Sequence, residues 1–183
     1  MSLPNSNLDA LDVELIALLR AHPRAGALEL SRLARVARAT VTARLERLER
    51  TGVITGYGPE IDLRAAGFPV QAFVFLEIAQ GAIEAVRAEL DAIPGVLEAH
   101  ATTGTADVIC RVAAVSHEDL HATLLRIGRS GPVIRSTSVV LLSEVVGERV
   151  LPLLRAQPHP NPTRVPAFRA GTGPGMAGSA QRS

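Results

Sequence analysis

The arginines between residues 32 and 50 are the side chains whose type and spacing most clearly indicate a binding chemistry. Six arginines stand there against two glutamates, a local excess of four positive charges. Within this stretch Val41, Leu45 and Leu48 recur at i, i+4 and i+7, the spacing of the buried stripe of an amphipathic helix. Projection at 100° per residue predicts that Arg47 faces outward with Thr40, Ala43 and Arg50, and that Arg44 lies on the flank. Such a face suits a polyanion, although solvated surface arginines give the same charge pattern.

A shorter helix precedes this one, and a glycine ends it. Leu30 and Leu33 form the inward positions of a predicted helix over 27–36, and Gly52 can adopt the positive φ that closes a helix. A short helix, a turn and a longer helix are typical of a helix-turn-helix, whose second helix enters the DNA major groove. We therefore predict DNA contacts from Arg38, Thr40, Thr42, Ala43, Arg44, Arg47 and Arg50.

A different pattern of elements begins near residue 70. The order is strand, helix, strand, strand, helix, strand, which is the split βαβ, ferredoxin-like plan of an α+β domain with both helices on one face of an antiparallel sheet. The first and fourth predicted strands are apolar on both faces. We therefore expect the sheet face that the helices leave uncovered to form a homodimer. The predicted elements are 70–79, 82–92, 96–103, 107–114, 116–127 and 133–145.

These patterns divide the chain into four parts. We predict a helix-turn-helix DNA-binding domain over 8–57, a linker over 58–68, and a βαββαβ domain over 69–150. The remaining 151–183 contains six prolines, four glycines, four arginines and no acid. Such a composition buries too little apolar surface to offset its ordering entropy, so a flexible tail is expected.

Several functional classes find little support in the sequence. A single cysteine, Cys110, excludes an internal disulfide framework and fits a reducing cytoplasm. No apolar run approaches a membrane span, and the first residues lack a signal-peptide pattern. His117 and His121 share a helix face and, with His100 and Asp107, form an imaginable metal set, but surface histidines are the commoner case. Since no phosphate loop or catalytic set stands out, we predict a cytoplasmic protein with no membrane partner, catalytic residue, cofactor or metal.

Short motifs follow one another in a specific order. They are Leu8-Asp9-x-x-Asp12 with Ile16-x-x-Leu19; Glu29-Leu30; Val41-x-x-Arg44-Leu45-x-Arg47-Leu48-Glu49-x-x-Gly52-Val53-Ile54-x-Gly56-Tyr57; Thr103-Gly104-x-x-Asp107; and Gly131-Pro132-Val133-x-Arg135-Ser136-Thr137. Together they resemble the Lrp/AsnC (feast/famine) family of prokaryotic transcriptional regulators over residues 8–148.

The resemblance implies a winged-type helix-turn-helix followed by a RAM/AsnC-type regulatory domain, so that 69–150 is the effector-binding and oligomerisation domain. It further implies a sequence-specific regulator of double-stranded DNA that forms dimers and higher assemblies, often octamers, and is modulated by an amino acid or similar small molecule. The sequence departs from the family at Arg35 and Ala37, where Gly and Ser are usual, at Ala106, where an aromatic is usual, and at His100, where Tyr is common. The implied effector-binding residues are Thr102, Gly104, Thr105, Ala106, Asp107 and Thr137.

Other interpretations remain beside this one. The turn at 104–107 offers backbone N–H groups for a carboxylate and Asp107 for an ammonium, but Gly104 can equally serve only to permit the turn, with Asp107 capping it. A low-specificity architectural DNA-binding protein fits the same basic helix. Haem-pathway decarboxylases share the ferredoxin-like architecture, and His100 would then be the residue to suspect. One tyrosine and four phenylalanines argue against such an enzyme, whose site is rich in aromatic residues.

Overall fold

Residues 8–162 are described in the computed structural model, and the first three elements among them are helices. These are α1 (Ala10–Ala21), α2 (Ala27–Leu33) and α3 (Arg38–Arg50). Asp9 caps α1 by accepting the Asp12 backbone N–H at 3.0 Å, while the Asp12 carboxylate accepts the Asp9 N–H at 2.9 Å. This reciprocal capping box satisfies two backbone donors that the first helical turn would otherwise leave unpaired.

A small aliphatic core holds the three helices together, and its members are Leu11, Leu15, Leu30, Val36 and Val41. The turn between α2 and α3 passes through Arg35 at φ 54°, a left-handed conformation that costs an L-residue about 1–2 kcal/mol and that glycine adopts freely. No side chain caps the start of α3 at Ala37. At the other end Gly52, with φ 73°, follows the helix as predicted.

Beyond residue 69 the chain forms four strands, β1 (Val70–Ile78), β2 (Val96–Ala101), β3 (Val108–Ala114) and β4 (Val133–Val140). They form one antiparallel sheet with the order β2-β3-β1-β4. This arrangement confirms the predicted α+β, ferredoxin-like class. Two helices connect these strands: α4 (Ile83–Asp91) lies between β1 and β2, and α5 (His117–Gly128) lies between β3 and β4.

Alternate residues of the central strands face α4 and α5 and form the core of this unit. Val74 on β1 pairs with Cys110 on β3, and both side chains are fully buried. Burial raises the pKa of the Cys110 thiol to about 11, so this cysteine is a core residue and not a nucleophile at neutral pH. On the helices, Val86 and Ile127 close the same core.

The fourth strand is shorter than predicted, because it ends at Val140 and not at 145. Beyond it the Leu141 N–H still donates to the Gln71 carbonyl at 2.8 Å, but 142–147 form no strand. Leu142 and Val145 are 88% and 91% exposed. The apolar composition of this segment predicts a strand, but β1 begins at Val70, opposite position 142, so residues 143–145 have no partner on that strand.

The expectation of an unstructured tail from residue 151 is wrong for 151–162. Leu151–Ala156 forms a sixth helix, α6, which packs against α1. The chain divides into two compact units, one holding the described residues up to Pro59 together with those from Glu148 onward, the other Glu60–Gly147. The rest of the predicted tail, 163–183, lies outside the described residues.

Candidate DNA-binding helix and effector turn

The exposed face of α3 carries most of the residues predicted to contact DNA. Arg38, Thr42, Ala43 and Arg50 are exposed, whereas Thr40 is half-buried. The face also presents Glu46, which was not among the predicted contacts. It therefore mixes cationic, hydroxyl, methyl and carboxylate groups, the set of side chains from which base-edge and phosphate contacts are made.

The other two predicted contacts, Arg44 and Arg47, turn toward α1. One amino group of Arg44, Nη1, lies 2.5 Å from Asp9 Oδ2 and 2.9 Å from Asp12 Oδ1. Nη2 of Arg47 forms a short ion pair with Asp12 Oδ2. The Asp12 side chain is fully buried, while 35% of the Arg47 side chain remains exposed. The prediction that Arg47 faces outward is thus wrong, because a flank position and a long side chain let its guanidinium reach back to α1.

The balance of forces on the Asp12 carboxyl favours its charged form. Burial by itself raises the pKa of this group, but hydrogen bonds from Arg47, the Asp9 backbone and Arg44 outweigh it and hold the pKa below its usual value. Burial by itself lowers the pKa of the Arg44 guanidinium, but the hydrogen bonds of Arg44 to Asp9 and Asp12 outweigh burial and raise that pKa above its usual value. These opposite shifts identify a charge-paired clamp, formed by Asp9, Asp12, Arg44 and Arg47, between the first and third helices.

The arm that follows α3, residues 53–57, is bonded to the helix through backbone and side-chain groups. The N–H groups of Val53 and Ile54 donate to the Leu48 carbonyl at 2.9 and 3.1 Å. The Tyr57 hydroxyl donates to Glu49 Oε1 at 2.5 Å. Partial burial, together with the Glu49 carboxylate, raises the Tyr57 pKa to about 12. This bond adds a side-chain link between 53–57 and the C-terminal end of the helix.

The predicted effector turn joins β2 to β3 and is tied to β1. The Thr102 N–H donates to the Asp107 carbonyl at 2.9 Å, and the Thr102 hydroxyl donates to the Ala106 carbonyl. The Asp107 N–H donates to the Leu76 carbonyl at 2.8 Å, and Asp107 Oδ2 accepts the Ile78 N–H at 2.8 Å. Asp107 nevertheless remains exposed, so its carboxylate anchors the turn and still faces solvent.

The turn leaves donors and space at its tip. Within the described part of the chain, the N–H groups of 103–106 donate to no backbone carbonyl. Gly104 does not use a positive φ, and a Cβ built on it meets no atom within 4 Å. The interpretation that Gly104 only permits the turn is therefore unsupported, since another residue would fit there in the single chain.

Two predicted effector residues lie apart from this opening. Ala106 is 9% exposed, so its side chain points into the protein. The alanine that stands here in place of the usual aromatic residue therefore does not open the turn to solvent. Thr137 lies on β4 opposite Phe75 of β1, and β1 separates it from β3. At a strand spacing of about 4.8 Å, Thr137 is roughly 10 Å from β3 in the same chain.

A groove that the sequence did not suggest opens beside the turn, between α4 and β2. Its volume is about 310 Å³. Ala101 and Val108, the residues on either side of the turn, contribute to its wall, and the buried side chains of Val86 and Leu90 form an apolar floor. Arg87, Asp91, Glu98 and His100 also line it, so an apolar floor adjoins charged and polar walls, and the volume is that of a small-ligand site.

Two further findings concern metals and membranes. Among residues 8–162 no three His, Cys, Asp or Glu side chains are grouped so that they could hold a metal ion. In the same part of the chain, no helix has the length and apolarity needed to cross a bilayer.

Comparison with known proteins finds two sequence families along the chain. The model described as "Winged helix-turn-helix DNA-binding" matches residues 8–55, and that described as "Lrp/AsnC ligand binding domain" matches 71–151. The HTH-type transcriptional regulator Rv2324 of Mycobacterium tuberculosis is 35% identical over 141 residues, which cover 76% of this chain and 95% of that protein.

Solved structures show the same fold. Escherichia coli AsnC superimposes with a TM-score of 0.74 at 22% identity, covering 79% of this chain and 99% of that one. The regulator NMB0573 of Neisseria meningitidis, solved as a complex with L-Met, gives a TM-score of 0.74 at 24% identity and covers 82% and 99% of the two chains.

The charge-paired clamp predicts a stability loss in acid. Because the Asp12 pKa is lower in the folded chain, its stabilisation is complete above the unfolded value of about 4 and disappears as the pH falls through the folded value. Asp12→Asn should lower the free energy of unfolding at neutral pH by about 2–4 kcal/mol, since it leaves Arg47 without a charged partner and Arg44 with Asp9 alone. The same substitution should flatten the dependence of stability on pH below about 4. Urea unfolding across this range measures both, with the exposed Asp91→Asn as control. An Asp12→Asn chain as stable as the wild type would contradict the assignment.

Proposed function

The chain belongs to the Lrp/AsnC family of HTH-type transcriptional regulators, and from this premise we propose which of its residues read DNA and which sense a ligand. The observation that carries the DNA assignment is the division of α3 into an exposed face and a clamped flank. Arg38, Thr42, Ala43 and Arg50 remain free to meet DNA, while the arginines at 44 and 47 are engaged by carboxylates.

The exposed side chains suit different parts of a duplex. Arg38 opens the N-terminal turn of α3, the part of a reading helix that lies deepest in the major groove. Glu46 repels phosphate, so it is expected to face a base edge, where a carboxylate accepts from the amino group of cytosine. Arg44 and Arg47 contribute to binding indirectly, because they fix the orientation in which α3 is presented.

The sheet face opposite α4 and α5 supports assembly into homodimers. Phe73 and Phe75 of β1 are only half-buried there, and Val139 of β4, the register partner of Phe73, is 52% exposed. Ion pairs flank this apolar strip, with Arg111 3.5 Å from Glu98 at one side. An apolar centre with a charged rim is the composition of a protein–protein interface. We propose that two copies pair through this face and that dimers assemble further, up to octamers.

The turn at 102–107 and the adjoining groove support an amino acid as the effector. Unpaired N–H groups at 103–106 offer donors to an α-carboxylate, and the exposed Asp107 carboxylate offers a charged partner to an α-ammonium. The α4–β2 groove begins at Ala101 and Val108, so an apolar side chain of the same ligand can occupy it. The Neisseria regulator solved with L-Met is consistent with a ligand of this class. A ligand that prefers one assembly changes the spacing of the reading helices and so the affinity for an operator.

The DNA-binding test uses a duplex that the wild-type chain selects from a randomised pool. If Arg38 reads a base, Arg38→Ala should weaken binding to this selected duplex by about 1–3 kcal/mol. If Arg38 holds only phosphate, the loss should be equal on selected and scrambled duplexes and the salt slope should fall by about one. Fluorescence anisotropy at several salt concentrations distinguishes the two, with the exposed Arg87→Ala on α4 as control. A folded Arg38→Ala chain that binds as the wild type does would remove it from the reading face. Equal wild-type affinity for selected and scrambled duplexes would instead support an architectural protein.

For assembly, Phe73→Glu should convert the dimer to a monomer, because it places an unpaired charge at the centre of an interface. Sedimentation at micromolar concentration measures the size. The control is Ala85→Glu, on the exposed side of α4, which should leave the size unchanged. A wild-type chain that sediments as a monomer would refute the proposed interface.

For the effector, calorimetry against the twenty amino acids should reveal at least one that binds. Asp107→Asn keeps an oxygen for the Ile78 N–H but removes the charge, so affinity should fall about tenfold or more while stability is retained. Gly104→Ala should also weaken binding without unfolding the chain, since its Cβ enters open space. The exposed Glu118→Gln on α5 is the matched control. If no amino acid binds the wild type, or both variants bind equally well, the site is misassigned.

A further inference from the structure

The segment from 152 to 162 lies beyond the residues that match the Lrp/AsnC ligand-binding domain, yet it belongs to the same unit as the helix-turn-helix. Helix α6 packs on α1, but none of its side chains is buried, and Leu153 is 65% exposed. A helix of six residues is far too short to be stable alone. Other contacts must therefore hold this segment in place.

Three polar contacts after α6 supply that attachment. Both ring nitrogens of His159 face carbonyl oxygens, which only accept, so a neutral imidazole donates at one of the two nitrogens and an imidazolium at both. His159 Nδ1 lies 3.0 Å from the Leu8 carbonyl oxygen, and its Nε2 lies 2.5 Å from the Leu154 carbonyl oxygen. The Ala10 N–H donates to the Pro160 carbonyl at 3.2 Å. The imidazole thus bridges the end of α6 to the residue that precedes α1, and Pro160 binds the first residue of α1 itself.

These bonds meet α1 where the charge-paired clamp begins. Ala10 is the first residue of α1, so its N–H has no acceptor within the helix, and Pro160 provides one. Between Leu8 and Ala10 stands Asp9, which caps α1 and whose carboxylate binds Arg44 of α3. The C-terminal segment therefore grips the backbone on both sides of a residue that holds the reading helix.

We propose that His159 is a positioning residue for DNA binding: by holding the Leu8 carbonyl it keeps Asp9 in place to anchor Arg44 and so orients α3. The bond from Nδ1 to Leu8 carries this role, whereas the bond from Nε2 to Leu154 only shapes the segment. The inference rests on α3 as the reading helix, but it concerns residues that make no contact with DNA.

The two ring nitrogens make a selective test possible. An asparagine amide reproduces a donor near the Nδ1 position, and a glutamine amide reproduces one near Nε2. His159→Asn should therefore bind the selected duplex as the wild type does, whereas His159→Gln and His159→Ala should bind about two- to tenfold more weakly, the effect of losing one hydrogen bond. A chain that ends at Val150 should bind no more tightly than His159→Ala, because it loses the same bond and also four arginines. His22→Ala, at the other end of α1, should bind as the wild type does.

Amide hydrogen exchange separates positioning from a general loss of stability. In His159→Ala and His159→Gln, exchange should accelerate at residues 9–12 and not in the second unit. Equal affinities for the Asn and Gln variants would overturn the role of the Leu8 bond. Undiminished affinity of the chain ending at Val150 would overturn the whole proposal, and the Arg38→Ala measurement independently reports whether α3 reads DNA at all.

Discussion

The orientation of the reading helix depends on one buried carboxylate. The Asp12 carboxylate accepts hydrogen bonds from both Arg44 and Arg47. It also accepts the Asp9 N–H, while the Asp12 N–H donates to Asp9, and these two bonds complete the cap of α1. The apolar contribution to the same unit is small, because α3 buries only Val41 and Leu48 completely and the core contains no aromatic residue. A few aliphatic contacts leave the rotation of a helix poorly defined, whereas two charged hydrogen bonds to a fixed carboxylate define it.

This constraint explains how a basic helix separates its tasks. Arginines that neutralise Asp9 and Asp12 secure the fold, and the arginines at 38 and 50, on the open face, add the charge that a polyanion meets. The C-terminal segment reinforces the same place through His159. Fold stability and DNA affinity are therefore coupled in the first unit, while the proposed ligand and assembly sites lie in the second.

Local chemistry made much of the structure predictable from the sequence. Gly52 predicts the end of α3, and the order of elements from residue 70 predicts the antiparallel sheet with two helices. The predictions that were wrong or missing concern contacts between residues that are distant in sequence. A 100° projection places Arg47 by its Cα and ignores that its side chain can reach Asp12, 35 residues away. The α4–β2 groove and the packing of α6 likewise depend on contacts that no local pattern encodes.

The charge-paired clamp is tested most directly by a double-mutant cycle for unfolding with Asp12→Ala, Arg47→Ala and the double variant. The account predicts that the two substitutions are not additive, with a coupling free energy of about 1–3 kcal/mol, because each removes the partner of the other. Additivity to within about 0.5 kcal/mol would show that Arg47 does not depend on Asp12 and would contradict the account.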